Sequence, residues 1–400
     1  MNEYSIWPFV VAMTLLLLIA ATPLFRAADV PPNPSGPRIS TLDGLRGFLA
    51  SGVFFCHAAV YHQYLLDGRW ELPPSRFYTL IGQVCVAVFF MITGYLFWSR
   101  VLVDQERSSW FEFYIGRVFR IGPLYLFAIG AALLILFALQ GPHLHVPAPE
   151  LFKELARWFS LGFFDLGDFN GYHDAEILLA GVTWTLKFEW LFYLSLPFLA
   201  LLAGRTKWHL PLVIGALVLC LVYVGLFVGP SVVAPAPVCI ALFLAGMTCG
   251  SLAREGMAAN IPDSIASVIV GILICGVFLL FDSSNNIGAT ILLGAAFYLI
   301  ANGCSIFGLL ASRPARRLGD VSYGIYLLQG PVLALLFFMN VTKAIALRSS
   351  LGHWSMMFLC ATLLVIIATI THVFVERPGI ELGNRFKTIF RKYETAAAAE

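Results

Sequence analysis

The sequence predicts an all-α polytopic membrane protein with about eleven transmembrane helices, and three observations predict it. Hydrophobic residues fill 59% of 400 positions against 12% charged, with a mean hydropathy of +0.83, whereas soluble domains carry about a quarter charged residues. The apolar residues fall into runs long enough to cross a ~30 Å hydrocarbon core. The basic residues collect in alternate connections, as the positive-inside rule requires.

The first run, 5–25, has no basic residue before it and Arg26 just after it, the reverse of a secretory signal. It reads as an uncleaved helix with its N-terminus outside; the Ala27-Ala28 stretch leaves cleavage open. The linker Pro31–Pro37 that follows is too rich in Pro and Gly to be helical. Residues 1–37 are thus an extra helix and linker, 38–380 a transmembrane domain, and 381–400 a basic, then Ala-rich tail.

Ten further spans are expected at about 42–65, 78–102, 114–140, 179–203, 209–229, 234–253, 264–281, 287–310, 319–340 and 353–375. With the linker inside, eighteen Lys and Arg lie in cytoplasmic connections and six (69, 76, 153, 157, 343 and 348) outside, with Lys187 within a span. This orientation also puts the C-terminus in the cytoplasm. The eight cysteines lie scattered in apolar runs with no paired spacing, as small buried residues do. The longest outward connection, 141–178, carries His143, His145, Asp165, Asp168, His173 and Asp174. These residues read as a solvated loop surface rather than a metal site, and 150–159 as an interfacial amphipathic helix.

The chemistry is expected inside the spans, where an ionisable side chain is costly and marks function. In Leu42-Asp43-Gly44-Leu45-Arg46-Gly47 and the apolar run to Cys56-His57, ten residues separate Arg46 from His57. Eleven helical steps bring both to nearly one face, roughly 16 Å apart along the axis, so both are expected to line one tunnel. Arg117 and Arg120, three apart at a cytoplasmic helix entrance, share a face. Paired guanidiniums suit phosphate oxygens, but ordinary positive-inside anchoring explains them as well. Val182–Tyr193 sets Trp184, Lys187, Glu189 and Tyr193 into an apolar span. There Glu189 has three readings: neutralising a buried Arg, orienting His57, or pairing on its own helix. Phe89–Tyr95 and Gly319–Gln329, with Tyr323, read first as close helix packing, and Gln329 before Gly330-Pro331 as facing the interior or a kink. In Glu376-Arg377-Pro378, Pro378 is expected to stop the last helix, and Glu376 reads as an interfacial ion-pair partner.

Taken as an ordered series over about 40–380, these stretches resemble the acyltransferase 3 family of integral membrane acyltransferases. The resemblance implies ten core helices in a bacterial inner membrane. It also implies a cytoplasmic acyl-CoA donor, commonly acetyl-CoA, without a metal. The acceptor it implies is a hydroxyl of a cell-envelope or exported glycan, or of a lipid-linked sugar. Carried over residue by residue, His57 is the catalytic residue with Arg46 and Glu189. Arg117, Arg120 and Arg46 meet the donor's phosphates, and Asp43, Trp184, Tyr193, Tyr323 and Gln329 support the site. Many members have a histidine where Gln329 stands, and the helix at 5–25 lies outside the family core. A neutral His57 is suited to take a proton from an acceptor hydroxyl or to carry the acyl group itself. The alternative class is a secondary transporter of an anionic solute using the same Arg, Glu and His, but the two halves show no paired broken segments. A non-catalytic scaffold would leave Arg46, His57 and Glu189 uncompensated.

Overall fold

A computed structural model of the chain describes residues 4–29, 39–103, 109–204, 208–228, 234–257 and 261–397. The expected linker Pro31–Pro37, Arg38, Arg107, Arg205 and Lys207 lie outside them. Fifteen α-helices follow in order: α1 Trp7–Ala21, α2 Ser40–Asp67, α3 Arg76–Val103, α4 Trp110–Gln140, α5 Ala148–Trp158, α6 Trp184–Leu199, α7 His209–Phe227, α8 Ala236–Arg254, α9 Asp263–Leu280, α10 Ile287–Ala301, α11 Arg313–Asp320, α12 Ser322–Phe338, α13 Asn340–Arg348, α14 Ser350–Thr371 and α15 Arg377–Ala397. No β-strand occurs among the described residues, which carry one isolated bridge between Phe169 and Tyr172.

Among the described residues, seven helices are long and apolar enough to cross a membrane, or eight if α11 and α12, bent by 64° at Val321, form one span. The protein is therefore a multi-pass membrane protein. The other three expected spans behave differently. α1 and α10 are apolar but only 15 residues each, roughly 22 Å. α2 has the length, at 28 residues, but carries Asp43, Arg46, His57, His62 and Asp67. α7 and α9 turn bare apolar side chains such as Leu219, Phe227, Leu279 and Leu280 outward, as lipid contact demands.

Small residues set the closest approaches, because between helices in lipid it is packing that holds them together. A Cβ at Gly94 of α3 would collide with the Phe243 carbonyl of α8, and one at Gly246 of α8 with the Met91 carbonyl of α3. The same device joins α2 to the turn before α11 and to α11 itself: Gly44 sits against the Leu310 carbonyl, and Gly319 against that of Asp43. The glycines of the Leu42–Gly47 motif therefore pack, and they fix the helix that bears Arg46 and His57.

Two expectations about helix ends are corrected. The span expected at 179–203 begins at Trp184. The preceding 3-10 turn Ala175–Leu179 is buried instead, wedged so tightly against Gly330 of α12 that a Cβ there would overlap its backbone. The last span does not stop at Pro378. A π-turn, His372–Glu376, resets the register, and α15 continues to Ala397. Pro378 is tolerated as the second residue of a new helix, where its missing N–H would have no intrahelical partner anyway. α15 lies along α4, with the Phe386 ring stacked on Phe119 at 5.3 Å and Arg391 paired with Glu112.

At one end of the bundle, here the arginine side, a buried clamp holds α1. Arg317, 2% exposed, donates to the carbonyls of Ala20 (2.8 Å) and Thr22 (2.9 Å) and to the Asp29 carboxylate (2.7 Å). Arg313 reaches the same carboxylate at 2.6 Å, and Arg377 donates to the Asp29 carbonyl at 3.0 Å. A cation at the negative end of α1 is favourable in itself. The Arg317 hydrogen bond holds the Asp29 carboxyl down at about 2, against the opposing pull of burial. The stabilisation from a lowered carboxyl pKa is complete above the unfolded value near 3.8 and lost as pH falls through the folded one. Asp29→Asn should therefore lower stability by about 1–3 kcal/mol, read as a drop in the thermal midpoint in detergent, and the drop should be constant between pH 5 and 8.

Candidate functional site

Among the described residues, α2 contributes to two cavities of the bundle, one toward each end. Arg46, near its start, lines the arginine-side cavity, of about 180 Å³, and His57 the opposite, loop-side cavity, of about 810 Å³. The two residues expected to line one tunnel therefore line two adjoining cavities. Val86 of α3 and Tyr326 of α12 line both cavities and stand between them.

The arginine-side cavity gathers Arg46 from α2, Arg117 and Arg120 from α4, Glu189 and Tyr193 from α6, and Tyr323 from α12. Within it Glu189 accepts a hydrogen bond from the Tyr193 hydroxyl on its own helix at 2.8 Å and shares the space with Arg46 and Arg117, whereas His57 lies in the other cavity. The two arginines of α4 are not equivalent. Arg120 pairs with Glu376, which is 1% exposed, so the carboxylate expected to be an interfacial partner is the counter-ion of a proposed donor-binding residue. Arg377 donates from Nε to His372 Nε2 at 3.1 Å, which leaves the His372 Nδ1 proton facing Glu376 Oε1 at 3.2 Å. Arg117 makes no ion pair among the described residues. Its guanidinium lies over the Phe97 ring at 4.8 Å, and its Nε is buried without a hydrogen-bond partner. With Arg120 paired to Glu376, Arg46 and Arg117 outnumber the remaining carboxylate of the cavity, Glu189, and leave it a positive balance suited to an anionic ligand.

The loop-side cavity is walled by His57, Trp70, Glu176 and the segment 180–184, and reaches the surface at Glu71 and Asp165. His57 Nδ1 lies 3.0 Å from Gln329 Oε1, and Trp70 stacks on the imidazole at 6.0 Å. Gln329 is fully buried and donates through Nε2 to the Tyr326 carbonyl at 2.6 Å. That bond fixes which amide atom is the nitrogen, so Oε1 accepts from His57 and the Nδ1 proton is assigned. The Nε2 lone pair of a neutral His57 is then unspent. Gln329 cannot relay a proton as a histidine might, but it sets the tautomer, the role a second partner plays beside a working imidazole.

The other expected site residues disperse. Asp43 sits at the α2–α11 seam rather than in either cavity, and Trp184 faces the loop-side cavity, away from Tyr193. Lys187, one turn into the α6 span, pairs with Asp165 at 3.3 Å at the loop-side rim. The His and Asp side chains of 141–178 are mostly exposed, and the backbone beneath them is held by its own hydrogen bonds. Asn170, at φ 49°, accepts from the His145 N–H and donates to the His143 carbonyl, while its own N–H donates to Glu154. Asp168 is held below the usual carboxylate range by the Asp174 N–H and by His173. Among the described residues no group of His, Cys, Asp and Glu is placed to hold a metal.

Sequence reasoning missed Trp70 and Tyr326. Trp70 lies in a connection with no periodic pattern to mark it. Tyr326 was within reach, midway between Tyr323 and Gln329 at three-residue steps along one helix face.

Comparison with known proteins bears on this geometry. A family model described as an acyltransferase domain matches residues 39–374. Exopolysaccharide production protein ExoZ of Rhizobium meliloti (strain 1021) is 32% identical over 76% of this chain and 91% of its own length. Acyltransferase MdmB of Streptomyces mycarofaciens is 27% identical over 75% of this chain and 80% of its own. Nodulation protein 10 of Rhizobium leguminosarum bv. viciae is 29% identical over 44% of this chain and 47% of its own. No solved structure matches. The enzyme reading thereby displaces the transporter: the chain is an acyltransferase and belongs to the acyltransferase 3 family.

Proposed function

We propose that this acyltransferase moves an acyl group, acetyl in the simplest case, from acyl-CoA bound on the arginine side to a glycan hydroxyl presented in the loop-side cavity. The observation that carries the reading is the His57–Gln329 pair, which leaves an unspent imidazole nitrogen in the larger cavity. The arginine side is then cytoplasmic, as the distribution of basic residues in the sequence suggests. The membrane is a bacterial inner membrane, with the acceptor at its outer face. The name of the exopolysaccharide relative supports a cell-envelope or exported glycan as that acceptor.

Each part follows from charge and proton bookkeeping. Coenzyme A is rich in phosphate, and Arg117, with its unpartnered Nε, and Arg46 offer charge-assisted hydrogen bonds to it. Arg120, already paired with Glu376, contributes a fixed cation at lower net charge. Tyr193, Glu189 and Tyr323 hold the walls of that cavity. The thioester is delivered toward His57. As the acceptor oxygen attacks the thioester carbon, its proton passes to His57 Nε2. The carbon–sulfur bond then breaks, and the thiolate of coenzyme A takes that proton and leaves as a thiol. An acyl group carried briefly on the same nitrogen would give the same products.

His57→Ala should lower acyl transfer by about 10²–10⁴-fold with the amount of membrane-inserted protein unchanged. The measurement is label transfer from radioactive acetyl-CoA, with acetyl signals in the envelope glycans followed by NMR; normal acetylation in this variant would end the proposal. Arg117→Gln should instead raise KM for the acyl-CoA donor by about 10–100-fold, the loss of one charge-assisted hydrogen bond. Its kcat at saturating donor should change far less, and initial rates across a donor series separate the two.

A further inference from the structure

The division of the cavity assigns a task to a side chain that neither the motifs nor the family comparison singled out. Tyr326 lines both cavities, and its hydroxyl is tied to the wall opposite α12: it lies 3.0 Å from Thr185 Oγ1 and donates to the Val182 carbonyl at 3.2 Å. Phe89 meets the ring edge-on at 6.0 Å. The bonded wall is itself unusual. Val182 follows Ala180 and Gly181, both in the left-handed region at φ 53° and 63°. A non-glycine residue there costs energy that the surrounding packing must supply. Residues 180–183 also form part of the lining of the loop-side cavity. A molecule filling that cavity therefore presses on the segment to which the tyrosine is bonded.

We infer that Tyr326 is a latch between the two cavities, closed by Thr185 and Val182, and released when the acceptor displaces the 180–183 segment. The latch rests on the acyl-transfer reading for its purpose. Closed, it keeps the thioester from the wet loop-side cavity, where water attack would convert the acyl group to a carboxylate and a proton and free the thiol. Once that segment has moved, rotation of the Tyr326 side chain opens the passage. The Tyr326 backbone carbonyl stays bonded to Gln329, so His57 keeps its partner while the passage forms.

The partition can be tested without acyl transfer. Thr79 lines the loop-side cavity alone, so Thr79→Cys reports on it. The probe is a small charged methanethiosulfonate applied to vesicles of either orientation, with modification at position 79 read by peptide mass. With Tyr326 in place, the introduced thiol should react from the loop side only. Tyr326→Phe and Thr185→Val, which keep side-chain volume but cut the latch bonds, should each raise its reaction from the arginine side about tenfold, and Tyr326→Ala more. Loop-side labelling should stay constant as evidence of folding. Equal labelling from both sides before any latch substitution, or arginine-side labelling that no variant raises, would overturn the latch. In parallel, acyl-CoA hydrolysis without acceptor should rise in the same variants. Absence of any acyl-CoA turnover beside the expected labelling would sustain the latch and overturn the acyl-transfer reading.

Discussion

A polar group inside a membrane protein has no water to fall back on, and this constraint shapes every notable contact in the bundle. Three buried groups are each matched by an oxygen from a distant part of the chain. Arg317 is matched by Asp29 and the end of α1, Arg120 by Glu376, and His57 by Gln329. These pairs cost desolvation and add little net stability. What they supply is position: Arg317 ties α11 to the end of α1, Arg120–Glu376 ties α4 to the π-turn, and His57–Gln329 ties α2 to α12. The bend between α11 and α12 and the π-turn after α14 are places where regular helix geometry gives way so that such partners can meet.

The proposed site was legible in the sequence to the extent that cost marks function. Arg46, His57, Arg117, Glu189, Tyr193, Tyr323 and Gln329 stand out because each interrupts an apolar run, and all of them line or bound one of the two cavities. What escaped were matters of pairing across long separations. Glu376 is readable as a carboxylate at a helix end, but its match with Arg120 depends on how α4 meets the π-turn. Helical periodicity put Arg46 and His57 on one face. It carried no information that a tyrosine from another helix would divide the space between them.

The fold was legible in kind and less so in its breaks. Most apolar runs became helices, although the run expected at 287–310 leaves the helix at Ala301. The departures arise where a local rule met a tertiary contact: Pro378 would end an isolated helix, but stacking of α15 on α4 and a change of helical register carry the chain past it. Likewise the start of the span expected at 179 is apolar because it is buried under α12, not because it faces lipid.

One arrangement on α12 bears on how this chain can change over evolutionary time. Tyr323, Tyr326 and Gln329 follow one another at steps of three along a single helix, entered through the lone residue Val321 after the short α11. Inserting or deleting one residue in α11 or at its junction with α12 would turn the whole row by about 100°, removing three working groups at once. Beyond α12, in α13 with its single buried residue Ala346, the chain can gain or lose length at little cost. Length variation among descendants of this sequence should therefore pool after the row and be purged before it.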